Sequence, residues 1–321
     1  MLFIASLTSL PVLAASPLFD LPIRCTPGQD CYIQNYFDRD PGPRWRDYSC
    51  GHLSYDGHTG TDIRLPDLKT MRAGVPAIAA ADGTVVGLRD GVPDVPVLMK
   101  PGEPETGRYA AGNGVRIDHG DGWETQYSHM RQGSISVHMG QHVHTGDVLG
   151  LVGLSGNTEF PHVDFTVRHN GKPLDPFAPS GTTGTCDAGA DTLWKPDTLK
   201  MLRYIPTGLL LAGWSGGAPD WNRVNDGTDL SPNINASALV FWIELFGAQK
   251  NDRQFFEIFG PTGNSFLKNE ATLSSDKALW TAYAGKRRPP QGWQTGRYRA
   301  EYRLERNGKT IIDVTREIKL Y

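Results

Sequence analysis

The sequence lacks a strong excess of charge of either sign. Its 321 residues contain 32 lysines and arginines against 35 aspartates and glutamates, a formal net charge of −3, and no basic run is longer than Lys286-Arg-Arg288. A chain with this balance has no overall field that would favour nucleic acid or an acidic membrane surface. No nucleic-acid partner is therefore expected.

Long apolar runs are also missing. No stretch beyond the N-terminus reaches the ~18 apolar residues needed for a membrane-spanning helix, so no transmembrane segment is predicted. Residues 1–14 form a short apolar run that ends in small residues, which is typical of a secretory signal peptide, with Val12 and Ala14 at the −3 and −1 positions. The run lacks the usual Lys or Arg in front, so a truncated start and a buried strand are the alternatives. We expect a bacterial protein that is periplasmic or secreted.

Cysteine is scarce, and no Cys-x-x-Cys spacing occurs. This absence argues against a cysteine-based metal site, whereas export favours disulfides. The four cysteines allow three pairings, of which Cys25–Cys31 closes the shortest loop. Cys50 and Cys186 would then be the second pair, enclosing the segment that contains the candidate site residues.

The chain shows β-type rather than helical patterning, and we predict a mainly β fold. Residues 15–50 are rich in Pro, Gly and Asp and predict an irregular N-terminal segment. Residues 51–180 contain short β-branched runs between Gly- and Asp-containing turns, which favours an antiparallel sheet, and Asn170-Gly171 predicts a hairpin. Residues 88–112, which include four prolines, predict a long surface insertion.

The C-terminal third predicts a second domain. Residues 181–219 are rich in Gly, Thr and Pro and are interpreted as a linker, and residues 220–321 as a small all-β sandwich. In its last hairpin, which turns at Asn307-Gly308, apolar and charged residues alternate, as expected for strands with one face in a core. This domain contains no ligand motif. We expect this domain either to position the protein on the cell wall or on a protein partner, or to be a structural appendage without a ligand.

Two pairs of polar residues have the spacing of a functional site. His162 and Asp164 are two residues apart, with Val163 and Phe165 interleaved, so on a strand both polar side chains would project from one face. His58 and Asp62 flank Gly60, which favours a tight loop. Imidazole and carboxylate groups suit a divalent metal such as zinc.

The segment from about Gly51 to Pro176 resembles the M23 family of peptidoglycan hydrolases, the lysostaphin- or LytM-type zinc metallopeptidases. Four motifs occur in the family's order: His58-x-Gly-x-Asp62, Gly112-Asn-Gly-Val-x-Ile-Asp-His-Gly-Asp-Gly-Trp-x-Thr-x-Tyr-Ser-His129, Gly140-x-x-Val-x-x-Gly146 and Gly153-x-Ser-Gly-x-Thr-x-x-Pro-His162. The resemblance implies a metalloendopeptidase that hydrolyses the peptide cross-links of bacterial peptidoglycan.

The resemblance also implies a role for each matching residue. His58 and Asp62 would bind one zinc ion, and His129 and His162 would be catalytic, one as general base and both as stabilisers of the oxyanion. The family's third ligand is the second histidine of a His-x-His motif, and this chain has Asp164 there. Strand periodicity makes Tyr127 and Thr166 pocket candidates, although each could instead fill the wall.

Asp164 leaves two functional readings open. A carboxylate can replace an Nδ1 ligand nearly in place but falls roughly 2 Å short of an Nε2 ligand, and zinc accepts oxygen only at about 2.0–2.2 Å. A His, Asp, Asp ligand set also makes the site neutral and shifts its preference towards oxygen-loving ions such as Mn²⁺. The alternative to an enzyme is a degenerate M23-like module that binds the cell wall or regulates a hydrolase. His142-Val-His144, a second His-x-His, is interpreted as structural or solvated.

Overall fold

The computed structural model describes residues 16–97, 109–180 and 191–321. The predicted signal peptide, Cys186 and residues 98–108 of the predicted insertion lie outside these ranges. Among the described residues, no helix is long and apolar enough to cross a membrane. The fold is mainly antiparallel β, as predicted.

The helices are α1 (Leu68–Ala73), α2 (Pro196–Met201) and α3 (Trp221–Asn225). The strands that precede the second predicted domain are β1 (Tyr32–Asn35), β2 (Thr61–Arg64), β3 (Pro76–Ile78), β4 (Gly83–Arg89), β5 (Asn113–Gly120), β6 (Trp123–Met130), β7 (His142–Val143), β8 (Val148–Leu151), β9 (His162–His169) and β10 (Lys172–Leu174). The later strands are β11 (Gly208–Ser215), β12 (Ala238–Ala248), β13 (Arg253–Phe259), β14 (Ser265–Thr272), β15 (Lys277–Arg287), β16 (Gly296–Arg306) and β17 (Lys309–Leu320).

An eight-stranded sheet forms the first unit, in the order β1-β2-β9-β6-β5-β4-β7 with β10 paired to β9. Alternate residues of its strands are apolar and buried, as in β9, where Val163, Phe165 and Val167 enter the core. The other face is polar at β1, β2, β6 and β9. The predicted hairpin at Asn170-Gly171 is confirmed: both residues have positive φ, and Lys172 pairs with His169.

The register of the central strands places the polar residues side by side. Asp62 on β2 lies opposite Asp164 on β9, and Arg64 lies opposite His162. Asn35 on β1 lies opposite Asp62. Because directly opposite residues project from the same face, these five side chains share one side of the sheet.

The N-terminal segment is more regular than predicted. Residues 32–35 form β1, the edge strand of the sheet, and Phe19 and Tyr36 are buried in the same core. The Gly- and Pro-rich surroundings hide this four-residue strand in the sequence. Its neighbouring disulfide, Cys25–Cys31, is confirmed. Cys50 is also disulfide-bonded.

The C-terminal unit is a two-sheet sandwich, as predicted. One sheet has the order β11-β12-β15 and the other β14-β13-β16-β17. Residues from both sheets, including Phe241, Phe256 and Tyr302, fill one core. The predicted turn at Asn307-Gly308 joins β16 and β17. Strand β11 lies inside the range 181–219 predicted as a linker, because the apolar run Leu209-Leu-Leu211 pairs with β12; the exact division into domains stays a prediction.

The two units are in direct contact beside β1 and β2. Arg64 Nη2 lies 3.8 Å from Glu244 Oε1, and both side chains are almost fully buried. The rings of Tyr32 and Phe246 are 5.9 Å apart, and Arg72 forms a 2.8 Å ion pair with Asp226. Since Arg64 shares its face of the sheet with Asp62, the C-terminal unit packs on the same side as the polar cluster.

Candidate metal centre

Three residues predicted as metal ligands come together in the structure. His58, from the loop before β2, Asp62 on β2 and Asp164 on β9 each place one ligand atom within 4.8 Å of the other two. Among the described residues, the only other such group is formed by Asp30 and the disulfide-bonded Cys25 and Cys31. The cluster of His58, Asp62 and Asp164 is hereafter the acidic centre.

Backbone carbonyl groups fix the orientation of all three histidine rings around the acidic centre. The Nδ1 atoms of His58, His129 and His162 lie 2.8, 2.7 and 2.9 Å from the carbonyl oxygens of Tyr36, Ser155 and Phe160, respectively. Because a carbonyl oxygen can only accept, each Nδ1 must carry a proton that it donates. Each ring therefore has Nε2 available for a metal, a proton or a carboxylate.

The Nε2 atoms of His58 and His162 converge on Asp62. They lie 3.2 and 3.5 Å from Asp62 Oδ1. Asp62 Oδ2 faces away and accepts a 2.8 Å hydrogen bond from Asn35 Nδ2. His58 Nε2 is buried and has no hydrogen-bond partner among the described residues, which is costly unless a further group binds there.

Gly60 makes room for the carboxylate of Asp164. A Cβ atom added to Gly60 would lie 1.8 Å from Asp164 Oδ1, closer than any real contact. The Thr166 hydroxyl, 3.4 Å away, donates to the same oxygen. Thr166 is thus next to the acidic centre, on the face predicted for it.

His129 lies beside His162, with ring centroids 4.5 Å apart. Its backbone has a φ of 59°, in the left-handed region that few non-glycine residues adopt. This turn interrupts the alternation of β6, so Tyr127 does not share the face of His129. Tyr127 is instead fully buried in the core, opposite Phe165, and its hydroxyl accepts a 2.7 Å hydrogen bond from the Ala80 amide. Tyr127 fills the wall and does not line the pocket.

The charges of the acidic centre are strongly coupled. Burial alone would raise the pKa of Asp62, but attraction to His58 and His162 outweighs it and holds that pKa well below its usual value. Burial together with repulsion from Asp62 raises the pKa of Asp164 to about 6. The two carboxyl groups differ in acidity because Asp62 lies within 3.5 Å of both imidazole Nε2 atoms, whereas at Asp164 burial and the repulsion from Asp62 outweigh the attraction of the same two histidines.

The histidines differ in the same way. Burial lowers the pKa of His58, but Asp62 more than compensates and raises it to about 9; the pKa of His162 is also raised, against burial, by Asp62. Burial and repulsion from His162 lower the pKa of His129 to about 3. His129 is therefore a neutral imidazole, and the acidic centre attracts cations, whether protons or a metal.

Sequence reasoning missed three contributors to the site. Asn35 and the Tyr36 carbonyl lie in the segment predicted as irregular, and they orient Asp62 and His58. Tyr55, three residues before His58, stacks on its ring with centroids 4.5 Å apart. Burial, with repulsion from Asp62 and Asp164, raises the pKa of the Tyr55 hydroxyl, so it keeps its proton. Of the three, only Tyr55 has a sequence feature that could have predicted its role: it lies three residues before His58 in the same motif region.

The other histidine pair, His142 and His144, is far from this centre in the sheet. His142 lies on β7, the edge opposite β1, and His144 Nδ1 lies 3.4 Å from Asp82 Oδ2 at the surface. This agrees with the structural or solvated role predicted for the pair.

The residues present fit a divalent metal. The acidic centre offers one imidazole and two carboxylates, and the buried His58 Nε2 lies 3.2 Å from Asp62 Oδ1, so the nitrogen and oxygen donors are within reach of one ion. All of these donors suit zinc, and the two oxygens also suit harder ions. Asp164 reaches the other ligand atoms, so the geometry does not exclude it as the third ligand.

Comparison with known proteins agrees with the motifs. Residues 56–176 match the model of peptidase family M23. The chain is 32% identical over 123 residues to the cell division protein DipM of Caulobacter vibrioides, and this alignment covers 36% of this chain and 16% of DipM. It is 33% identical over 155 residues to the DD-carboxypeptidase/endopeptidase Mpg of Neisseria meningitidis, covering 46% of this chain and 30% of Mpg.

A third relative is the peptidoglycan DD-endopeptidase ShyA of Vibrio cholerae, which is 30% identical over 118 residues, covering 37% of this chain and 22% of ShyA. The matched segment thus spans less than a third of the length of each of these relatives. The part of the chain that matches peptidase family M23, residues 56–176, contains the acidic centre, His129 and His162.

Proposed function

We propose that this chain is an exported, metal-dependent endopeptidase that hydrolyses the peptide cross-links of bacterial peptidoglycan. The observation that supports it most is the convergence of the His58 and His162 Nε2 atoms on Asp62, with Asp164 and His129 beside them. The substrate class is inferred from relatives named as peptidoglycan and DD-endopeptidases.

His58, Asp62 and Asp164 would hold the metal, with zinc as the expected ion and Mn²⁺ as the alternative. A bound divalent metal would supply the positive charge that polarises the amide carbonyl and increases the acidity of water. His129 and His162 are the proposed catalytic residues, because neither belongs to the predicted ligand set and both rings lie at its edge.

Each catalytic histidine has a defined task in this proposal. His129 donates its Nδ1 proton to the Ser155 carbonyl, so its Nε2 lone pair can accept a proton as general base. His162 donates Nδ1–H to the Phe160 carbonyl, and its Nε2, when it carries a proton, can donate to the oxygen on which negative charge develops. The Tyr55 hydroxyl, which keeps its proton, is a further donor at the edge of the site.

A second candidate function follows from Asp164. Because the family's third ligand is a histidine, a carboxylate there would be compatible with a module that binds peptidoglycan peptides without cleaving them. The two candidates share the fold and the acidic centre and differ in metal content and turnover.

The test is to purify the chain, measure its metal content and incubate it with cross-linked muropeptides. The enzyme predicts about one divalent ion per chain, cleavage of the cross-link, and loss of cleavage after treatment with a chelator that is reversed by added metal. Unaltered muropeptides and no stoichiometric metal would exclude the enzyme and leave the binding module.

A further inference from the structure

A cavity lies between the two units, next to the acidic centre. Its volume is about 150 Å³, and its walls include Asn35 and Trp45 from the N-terminal segment and Gln249, Asp276 and Lys277 from the C-terminal unit. An apolar cavity of about this volume can hold a ring of six carbon atoms. This cavity therefore has room for one amino-acid side chain rather than for a long peptide.

Asn35 connects the cavity to the candidate metal site. Its side chain is part of the cavity wall and also donates the 2.8 Å hydrogen bond to Asp62 Oδ2. The C-terminal unit packs on the same side of the sheet, through Arg64 and Glu244. Asn35 thus borders both the cavity and Asp62.

The lining offers a ligand one ammonium group and one aromatic face. Lys277 is half-buried in the wall, and the lysines that form ion pairs among the described residues are Lys195, Lys200 and Lys268, not Lys277. The neighbouring Asp276 is in the wall too, and its Oδ1 accepts a 2.7 Å hydrogen bond from the Lys250 amide. Trp45, 46% exposed, offers an indole face for the apolar atoms.

We propose that this cavity is a substrate subsite that holds a carboxylate-bearing side chain of the peptide adjacent to the cleaved amide. The carboxylate pairs with the Lys277 ammonium, and the carbon atoms pack on Trp45. The C-terminal unit is then part of the substrate-binding surface and not an appendage. The proposal rests on the proposed peptidoglycan function and deepens it.

The experiment measures binding, so that it does not depend on turnover. A cross-linked muropeptide, released from peptidoglycan by a muramidase, is titrated calorimetrically into the full chain carrying His129→Ala, and into the same chain with Trp45→Ala or Lys277→Ala added. The matched controls are Tyr283→Ala and Lys268→Ala, which truncate an exposed aromatic and a lysine on the C-terminal unit away from the cavity. We expect Kd to rise about five- to tenfold for each cavity variant, as for loss of one good contact, and to stay unchanged for the controls.

A chemically modified probe tests the charge. The same muropeptide with its carboxyl groups amidated should bind the His129→Ala chain about five- to tenfold more weakly, and Lys277→Ala should then cause no further loss. Absence of binding to the His129→Ala chain, equal Kd values for cavity and control variants, or a Lys277→Ala effect that persists with the amidated probe would overturn the subsite.

The two proposals fail separately. If the natural chain leaves muropeptides intact but Trp45 and Lys277 determine their binding, the enzyme is wrong and the subsite stands. If the natural chain cleaves them and the cavity variants bind like the controls, the subsite alone is wrong.

Discussion

Asp62 and Asp164 lie directly opposite each other on neighbouring antiparallel strands, with Asp62 buried and Asp164 partly buried on one face of the sheet. Two buried carboxylates repel each other unless a cation lies close by. In the proposed metal site Asp164 stands where the M23 resemblance leads one to expect a histidine, so its substitution is the first test of that site.

Replacing Asp164 by asparagine keeps the shape of the side chain and removes its charge. We expect Asp164→Asn to weaken metal binding by at least about 100-fold, because even groups that only orient ligands contribute 10–100-fold. Affinity is measured by competition with a coloured chelator, and Asp118→Asn, a surface change on β5, is the control. An Asp164→His variant completes the series: activity found only in that variant would identify the natural chain as a binding module.

Gly60→Ala tests the space that Asp164 occupies. The backbone of Gly60 is outside the left-handed region, so alanine is tolerated, but its Cβ would collide with Asp164 Oδ1. We expect the displaced carboxylate to lower metal affinity about tenfold or more while the protein stays folded. Gly217→Ala, where no heavy atom lies within 4 Å of the added Cβ, should have no effect. Equal affinities in both variants would show that Asp164 does not bind the metal.

Asn35→Ala removes the hydrogen bond that orients Asp62. The freed carboxylate can rotate, so we expect metal affinity to fall about tenfold with little change in fold, as for other groups that position a ligand. Asn269→Ala, at an exposed position of β14, is the matched control. Retention of full affinity in Asn35→Ala would mean that the sheet alone fixes Asp62.

His129→Ala should separate chemistry from metal binding. Loss of a general base commonly reduces turnover by about 10²–10⁴-fold. We expect a decrease of this size in kcat for muropeptide cleavage, with the metal content unchanged, and no effect of His138→Ala at an exposed loop position. A His129→Ala chain that loses its metal would instead assign His129 to the ligands.

Asp175 gives a pH dependence that is independent of the metal site. Burial raises its pKa to about 6, although the Phe177 amide and Arg39 lower it. The folded state therefore holds a proton between about pH 4 and 6 that the unfolded state has released, so this group makes the protein less stable as pH rises through that window. Relative to the natural chain, Asp175→Asn should gain on the order of 2 kcal/mol in free energy of unfolding between pH 4 and 7. Urea unfolding at both pH values measures this, and parallel pH profiles would contradict it.

Local sequence signals predicted much of the fold and the site. Asn-Gly turns identified two hairpins, the short loop between Cys25 and Cys31 identified a disulfide, and ordered motifs identified the polar residues that converge. Each of these signals depends on residues close in the chain, or on spacing that the M23 family shares.

The remaining features depend on contacts between distant segments. The positive φ of His129 turns its side chain to the face opposite that of Tyr127, although strict alternation predicts that the two share a face. Sequence alternation alone cannot predict such a turn. Arg64 lies close to Glu244, which is 180 residues later in the chain, and neither local sequence contains a signal that predicts this contact. Asn35 lies in a stretch with loop-like composition, and only its pairing with β2 shows its relation to Asp62.

The edge strand β1 determines how far the protein can be shortened. The segment shared with the M23 family begins at residue 56, yet Asn35 and the Tyr36 carbonyl, which hold Asp62 and His58, precede it. A fragment trimmed to the shared segment would retain every motif residue but would lose Asn35 and the Tyr36 carbonyl, the two groups that orient Asp62 and His58. The smallest fragment that keeps these orienting contacts therefore starts before β1, and truncations are better planned from the sheet than from the motifs.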